Sequence, residues 1–424
     1  MHDSVVTLAF VAFLLASTAA KFWLATRQMR HVAAHRNEVP APFADSVTAD
    51  AHRRAADYTI AKGRFGLLTM AFSAAALLGW TLLGGLDALN TALHTLLMPA
   101  AGGLVYQLAL LASFSLISGL IELPFEWYST FRIEQHFGFN RMSLRLWLAD
   151  LLKSSVLGAL IGLPLAALVL WLMGAAGSWW WLWVWGTWVG FNLLLLVIYP
   201  TVIAPLFNKF EPLADEALKS RVQAPMQRCG FAAKGLFVMD GSRRSAHANA
   251  YFTGLGAAKR VVFYDTLLSR LSAEEVEAVL AHELGHFRHR HVPKRMVAIF
   301  SLSLAALALL GWLSGQSGFY TGLGVAPNLA APNDALALLL FMLALPPFAF
   351  FVAPVAAQLS RRHEFEADAY ACAQADGRDL ASALLKLHED NAATLTPDPI
   401  YVRFYYSHPP ASERLAALAQ PAAG

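Results

Sequence analysis

Long apolar stretches separated by polar segments dominate this chain of 424 residues. A helix that spans a membrane needs about 20 mostly apolar residues. Seven stretches come close to that length, and we predict a spanning helix over each of them. They cover residues 4–24, 67–86, 104–123, 151–173, 179–199, 296–313 and 335–355. Pro346, Pro347 and Pro354 predict a kink in the last of these helices.

The first stretch allows a second interpretation, because residues 16–20 resemble the cleavage site of a secretory signal peptide. Signal peptides begin with positive charge. Here Asp3 precedes the apolar run, and no Lys or Arg does. We therefore predict a helix that is retained.

Two long polar regions, residues 200–295 and 356–424, interrupt the helices. In the first we predict an amphipathic helix over 214–228 and strands over 235–240, 250–253 and 260–264, with glycine turns between the last two strands. Ser272, followed three residues later by Glu275, forms a capping-box pattern that predicts the start of another helix. In the second region we predict a helix over 356–375 and a short one from Ser412.

The composition agrees with a membrane protein. Hydrophobic residues make up 57% of the chain and charged residues 14%, whereas soluble domains have about 25% charged residues. The formal net charge of +3 gives no indication of nucleic-acid binding. Two cysteines, Cys229 and Cys372, suggest neither a disulfide framework nor a CxxC metal site, and we predict ordinary thiols on the reducing side.

The Lys and Arg residues indicate the orientation, because they accumulate in short cytoplasmic loops. Eight of them lie from Lys21, near the end of the first predicted helix, to Arg64, just before the second. The N-terminal tail and residues 87–103, 174–178 and 314–334 hold none. All 32 can therefore lie on one side of a seven-helix protein whose N-terminus is outside and whose C-terminus is cytoplasmic.

The segment HELGH, residues 282–286, lies on the helix predicted from Ser272. Positions i and i+4 share a helix face, so the rings of His282 and His286 can bind one metal ion. Glu283 then lies beside the ion, where it can accept a proton from the attacking water. This pattern is typical of zinc peptidases.

A catalytic zinc usually has three protein ligands and an open position for water. The candidates for the third ligand are His363, Glu364, Glu366, Asp368 and His388. Spacing alone does not choose between Glu364 and Glu366, which face different ways on a helix. Glu364 and Asp368 share a face, so that one can bind the metal while the other holds a ligand imidazole. That pairing favours Glu364 with Asp368.

The HELGH segment, the Glu364–Asp368 spacing and the run Ser407-His408-Pro409-Pro410 together resemble the M48 membrane zinc metalloproteases, most closely the Ste24 or CAAX prenyl protease 1 type. The resemblance implies a mainly α-helical integral membrane fold, with seven transmembrane helices around a chamber. It also implies a zincin-like catalytic domain with a small β-sheet on the cytoplasmic side. Residues 200–295 and 356–424 then form the catalytic domain, and residues 1–199 and 296–355 hold the spanning helices.

For the site, the resemblance implies one Zn²⁺ per chain held by His282, His286 and Glu364. It makes Glu283 the general base, and it gives Asp368 the task of orienting the first histidine.

Four further residues are placed near the substrate. The resemblance implies that His408 contacts the substrate or the tetrahedral intermediate, and that Asn249 lies beside the cleft. Ala250 and Tyr251 begin a run that can serve as an edge strand for an extended peptide.

Three other histidines remain, and two of them, His289 and His291, follow the HELGH segment closely enough to be additional metal ligands. We predict that His289 and His291 are solvated neighbours of the site and that His363 is a surface residue.

We therefore predict an integral membrane zinc endopeptidase whose partners are a peptide or protein substrate and the lipid bilayer. The resemblance implies removal of the C-terminal tripeptide of prenylated CAAX proteins, although no residue pattern specifies a prenyl group or an oligomeric state. One alternative is an HtpX-like quality-control protease, which has fewer spanning helices. Another is a seven-helix receptor or transporter with an incidental motif, but its spans would carry charged or polar residues that these spans largely lack.

Overall fold

The computed structural model describes residues 2–231, 235–253, 260–329 and 331–418. The glycine turns predicted between the last two strands fall on residues 254–259 and lie outside these ranges.

Among the described residues, six helices are long and apolar enough to cross a membrane, and the number is seven if a pair of helices joined at a sharp bend is counted as one span. The first five are α1 (Asp3–Ala34), α2 (Ala49–Trp80), α3 (Gly85–Tyr128), α4 (Leu144–Ala175) and α5 (Trp180–Ile198). π-helical turns over Ser129–Glu134 and Tyr199–Ile203 extend α3 and α5. The mainly α-helical membrane fold predicted from the apolar stretches is thus confirmed.

The second and third helices differ from the prediction at their ends. α2 ends at Trp80, and α3 already begins at Gly85, so the predicted connection over residues 87–103 is helical. α3 is broken at Gly102, whose φ of 80° and ψ of 174° are readily adopted only by glycine. The apolar pattern predicted the part of each helix that is apolar enough to lie in a bilayer. It did not predict the further helical turns that extend each helix beyond that part.

The first polar region folds into helices around a four-stranded sheet. Its elements are α6 (Ala204–Phe207), β1 (Phe210–Pro212), α7 (Glu216–Arg228), β2 (Leu236–Met239), β3 (Ala250–Thr253), β4 (Arg260–Tyr264), α8 (Asp265–Leu268) and α9 (Ala273–Arg288). The strand order is β1-β2-β4-β3; β2 and β4 are parallel, and the outer pairs are antiparallel. β3 therefore lies at an edge of the described sheet. The three predicted strands are confirmed, while β1, with three residues, is absent from the prediction.

α9 carries the HELGH segment and begins where the capping-box pattern predicts. The Ser272 hydroxyl accepts a hydrogen bond from the Glu275 N–H at 3.3 Å, and the Glu275 carboxylate accepts one from the Ser272 N–H at 2.7 Å. Val276, Leu280 and Leu284 are almost completely buried in the core that α9 shares with the sheet. Because they occupy one face of the helix, the two histidines lie on another.

The described residues after α9 are mainly helical, and a sharp bend separates two of the helices. These helices are α10 (His291–Leu313), α11 (Ser317–Thr321), α12 (Asp334–Ala349), α13 (Ala353–Gln374), α14 (Gly377–Asp390), α15 (Pro399–Tyr405) and α16 (Ala411–Leu418). α12 and α13 are bent by 66° at a break of a few residues, which confirms the kink predicted in the last spanning helix. Pro346 and Pro347 lie in the last turn of α12, where they remove backbone N–H donors.

α13 packs directly against α9, and a glycine makes the close approach possible. A Cβ atom placed on Gly285 would lie 2.8 Å from Cα of Ala367 and 3.0 Å from its carbonyl oxygen. No side chain larger than hydrogen fits there without a shift of the backbone. The contact brings the middle turns of α13 to the face of α9 that bears the histidines.

Candidate active site

Three side chains from α9 and α13 converge at one point. Nε2 of His282 and Nε2 of His286 are 3.3 Å apart. The Glu364 carboxylate lies 3.5 Å from the first nitrogen and 3.4 Å from the second. These three residues, which we call the donor group, are the ones predicted as metal ligands. His282 and Glu364 are only 7% and 4% exposed, so the group lies inside the protein rather than on its surface.

The spacing of the donor group fits a metal ion better than direct hydrogen bonds. Hydrogen bonds between N and O are about 2.7–3.2 Å long, whereas a tetrahedron with bonds of about 2.0–2.1 Å has edges of about 3.3–3.4 Å. Oε2 of Glu364 is also buried without a hydrogen-bond partner, which is costly unless a cation compensates it. Two imidazoles and a carboxylate are a common ligand set of catalytic zinc, so the residues present fit this ion.

The charges of the site also favour a cation between these side chains. Burial lowers the pKa of His282, but the adjacent Asp368 and Glu364 carboxylates outweigh it and raise that pKa to about 9. Burial and the neighbouring His282 lower the pKa of His286 to about 4. The positive charge of a protonated His282 therefore disfavours a second proton on His286.

A buried ion pair between Asp368 and Arg414 fixes the orientation of the His282 ring. Nδ1–H of His282 donates to Oδ1 of Asp368 at 2.8 Å. Nε and Nη2 of Arg414 donate to the two oxygens of the same carboxylate, at 2.8 and 2.5 Å. Asp368 and Arg414 are 3% and 8% exposed. Because Nδ1 carries the hydrogen, Nε2 of His282 keeps the lone pair that a metal ion requires.

Arg414 is a residue that the sequence analysis missed. It lies in α16, far along the chain from Asp368 and His282, and no spacing rule connects it to these two residues. The only local sign is its position soon after the Ser-His-Pro-Pro run.

The Glu283 carboxyl group lies beside the donor group on the same helix. Within the described part of the chain it makes no hydrogen bond, so both of its oxygens remain available. Burial raises its pKa above the ordinary value. A carboxylate with a raised pKa is better suited to accept a proton and to return it near neutral pH.

Two protein-family models match the chain in succession. The first, described as the CAAX prenyl protease N-terminal domain with five membrane helices, matches residues 28–209. The second, peptidase family M48, matches residues 212–422, which include the entire donor group. This chain belongs to peptidase family M48.

Individual M48 relatives match nearly the whole chain. CAAX prenyl protease 1 of Saccharomyces cerevisiae is 31% identical, over 96% of this chain and 93% of its own length. A CAAX prenyl protease 1 homolog of Oryza sativa subsp. japonica is 32% identical, over 97% and 96%. The crystal structure of S. mikatae Ste24p superposes with a TM-score of 0.89 at 31% identity, covering 97% of this chain and 98% of the other. The chain is therefore a multi-pass membrane metalloprotease that acts on peptide substrates. The chamber implied by the resemblance stays a prediction.

His408 approaches the M48 donor group from the C-terminal region. Its Nε2 lies 3.4 Å from Oε1 of Glu364, and its side chain is 67% exposed. The ring is thus at the open side of the site, next to the described side chains that would surround a metal ion. The hydroxyl of Ser407 lies 3.0 Å from its Nδ1.

The predicted substrate residues lie on or beside the edge strand β3. Asn249 is exposed and precedes the strand, and its carbonyl oxygen accepts a hydrogen bond from the Tyr264 N–H at 3.0 Å. Ala250 and Tyr251 pair with Phe263 and Val262 of β4 on one side only. The other side of β3 is unpaired within the described sheet.

The neighbourhood of His291 differs from the prediction. His291 is 4% exposed rather than solvated, and its ring stacks on that of His363 with centroids 4.0 Å apart. It hydrogen-bonds to His286 and to Glu366, whereas His289 is exposed as predicted. The sequence pattern missed this because His291 and His286 are five residues apart, a spacing that places two side chains on different faces of a continuous helix. Glu366, the other candidate for the third metal ligand, is hydrogen-bonded to His291 and not to the donor group.

Proposed function

We propose that this membrane metalloprotease is a zinc endopeptidase that cleaves prenylated CAAX proteins near their C-terminus. The observation that carries the zinc chemistry is the donor group. Its two imidazole Nε2 atoms are 3.3 Å apart, Oε2 and Oε1 of Glu364 lie 3.5 and 3.4 Å from them, and Oε2 has no hydrogen-bond partner. Support for the substrate class comes from the relatives named CAAX prenyl protease 1, whose similarity extends over the membrane helices as well as the peptidase part.

Bound zinc would polarise the scissile carbonyl and activate the attacking water. His282, His286 and Glu364 would hold the ion, one per chain. Glu283 accepts the proton of the water and passes it to the leaving amine. Asp368 keeps Nε2 of His282 free to bind, through the hydrogen bond that it accepts from Nδ1–H.

We propose that His408 stabilises the oxyanion that develops during the attack. When the Ser407 hydroxyl donates to Nδ1, Nε2 keeps its hydrogen and points into the site. An N–H group at that position donates to the negative oxygen of the transition state. The free edge of β3, with Asn249 at its start, would pair with the extended backbone of the substrate.

The site lies next to the membrane, where a lipidated substrate can reach it. α10, one of the spanning helices, begins at His291, five residues after the ligand His286. A prenyl group could therefore remain in an apolar environment while the peptide enters the site. We place the site on the cytoplasmic side and the N-terminus outside, because this orientation puts all 32 Lys and Arg residues on one side.

The test compares one peptide with and without a farnesyl group at its cysteine. We expect the farnesyl group to raise kcat/KM at least tenfold, because burial of only two CH₂ groups already contributes about 1.6 kcal/mol. Glu283→Gln protein provides the background rate. Equal rates on the two peptides would contradict the prenyl specificity and favour the quality-control alternative. Absence of bound zinc would contradict the enzyme mechanism itself.

A further inference from the structure

His291 sits behind the ligand His286 at an unusual point of the backbone. Arg290, between α9 and α10, has φ 56° and ψ 38°, a left-handed conformation that is uncommon for a residue with a side chain. His291 follows Arg290 directly and begins α10, and its ring meets the ring of His286 with centroids 5.1 Å apart. A strained residue next to a site suggests that the contact it creates has a function.

The contact forms a chain of hydrogen bonds that leads from the donor group to the surface. Nδ1 of His286 and Nδ1 of His291 are 2.9 Å apart, and Nε2 of His291 lies 2.8 Å from Oε2 of Glu366. His291 is 4% exposed, whereas the Glu366 side chain is 47% exposed. The chain therefore begins in the buried site and ends at a carboxylate in contact with solvent.

The donor and acceptor of each hydrogen bond follow from the carboxylate at its end. An ionised carboxylate only accepts, so Nε2–H of His291 donates to Glu366. The neutral ring of His291 then has its lone pair on Nδ1, which accepts from Nδ1–H of His286. His286 consequently carries no hydrogen on Nε2, the nitrogen that faces Glu364.

We propose that His291 and Glu366 form a positioning pair that fixes the tautomer and the ring orientation of His286 for metal binding. The inference rests on the proposed role of His286 as a zinc ligand. Each ligand histidine would then have its own positioning partner, since Asp368 fixes the tautomer of His282 through a direct hydrogen bond. Partners of this kind typically change metal affinity or activity by about 10–100-fold when they are removed.

A second metal site is the competing interpretation of the same residues. His289, His291 and Glu366 have potential ligand atoms within 4.8 Å of one another. However, the 2.8 Å between His291 and Glu366 is a direct hydrogen-bond distance, shorter than the 3.3–3.5 Å spacings of the donor group.

The experiment measures zinc affinity by competition with a chelator, together with kcat and KM at saturating zinc. His291→Phe keeps an aromatic ring on His363 but removes both hydrogen bonds. We expect its zinc dissociation constant to rise about 10–100-fold. His291→Asn, whose Oδ1 can replace Nδ1 as the acceptor, should recover part of the loss. His363→Phe is the matched control, and it should keep the wild-type zinc affinity.

Each outcome decides between the interpretations. Unchanged zinc affinity in His291→Phe would overturn the positioning role, even if the variant melts at a lower temperature. If that variant does not fold, His291→Asn and Glu366→Leu decide: weakened affinity in both supports the pair, and wild-type affinity in both overturns it. Two zinc ions in the wild type and one in His289→Phe would replace the pair by a second metal site. Absence of zinc from the wild type would instead refute the proposed function.

Discussion

Replacement of Gly285 by alanine tests the close approach of α9 and α13 that assembles the donor group. The new Cβ would lie 2.8 Å from Cα, 3.0 Å from O and 3.2 Å from Cβ of Ala367. Carbon atoms in contact are normally about 3.5–4.0 Å apart, so the two helices must separate by roughly 0.7 Å or more. Two of the three atoms belong to the backbone, and no side-chain rotation relieves the clash.

Two effects on stability oppose each other in this variant. Alanine instead of glycine inside a helix is favourable by about 1 kcal/mol. Overpacking of a core costs about 1–3 kcal/mol. We therefore expect a decrease in the free energy of unfolding of up to about 2 kcal/mol.

The effect on the metal site should be at least comparable in free energy to the effect on stability. Glu364 lies 3.5 and 3.4 Å from the nitrogens of His282 and His286. A shift of α13 would lengthen these distances to about 4 Å, beyond the edge of about 3.3–3.4 Å that zinc coordination requires. We expect zinc affinity to fall at least as much as on loss of a residue that supports a ligand, which is about 10–100-fold.

The assay combines chelator competition for zinc with thermal unfolding of the zinc-loaded and zinc-free forms. Gly158→Ala in α4 is the matched control, because a Cβ there meets no atom within 4 Å. The control should keep wild-type zinc affinity and lose no stability. A Gly285→Ala protein with wild-type zinc affinity and cleavage rate would refute the reasoning.

Three further predictions follow from single residues. Glu283→Gln should keep its zinc but lose about 10²–10⁴-fold in kcat, because only the proton acceptor is removed; loss of zinc in this variant would show that the residue is a ligand. Arg414→Leu leaves Asp368 buried without its cation, and denaturant unfolding should show a loss of about 3–5 kcal/mol; wild-type stability would contradict the ion pair. Leu329 is fully exposed in a connection predicted to lie outside, so Leu329→Cys should react with an impermeant maleimide added to intact cells, while Cys372 should not. The reverse labelling would overturn the orientation.

Local signals made much of this protein predictable from its sequence. Apolar runs of bilayer length gave the crossings, and the capping box at Ser272 gave the start of α9. The spacing within HELGH placed two rings on one face. The i, i+4 relation of Glu364 and Asp368 favoured the carboxylate that the structure brings to the histidines. Each of these signals is contained within one helix or one turn.

Features that depend on contacts between distant segments were not predictable in this way. Arg414 reaches Asp368 only after α14, α15 and α16 have folded back. His291 meets His286 because Arg290 adopts a left-handed conformation, which nothing in its side chain favours. The need for glycine at Gly285 depends on where Ala367 of α13 lies. Such features depend on the tertiary fold, and the periodicity and spacing of residues along the sequence do not predict the contacts between distant segments.

The most direct test of the metal centre is a crystal structure of the purified protein with anomalous data collected on both sides of the zinc absorption edge. We predict one peak per chain, bounded by Nε2 of His282, Nε2 of His286 and the carboxylate of Glu364. A peak among His289, His291 and Glu366 instead, or no zinc peak in protein that cleaves its substrate, would contradict this account.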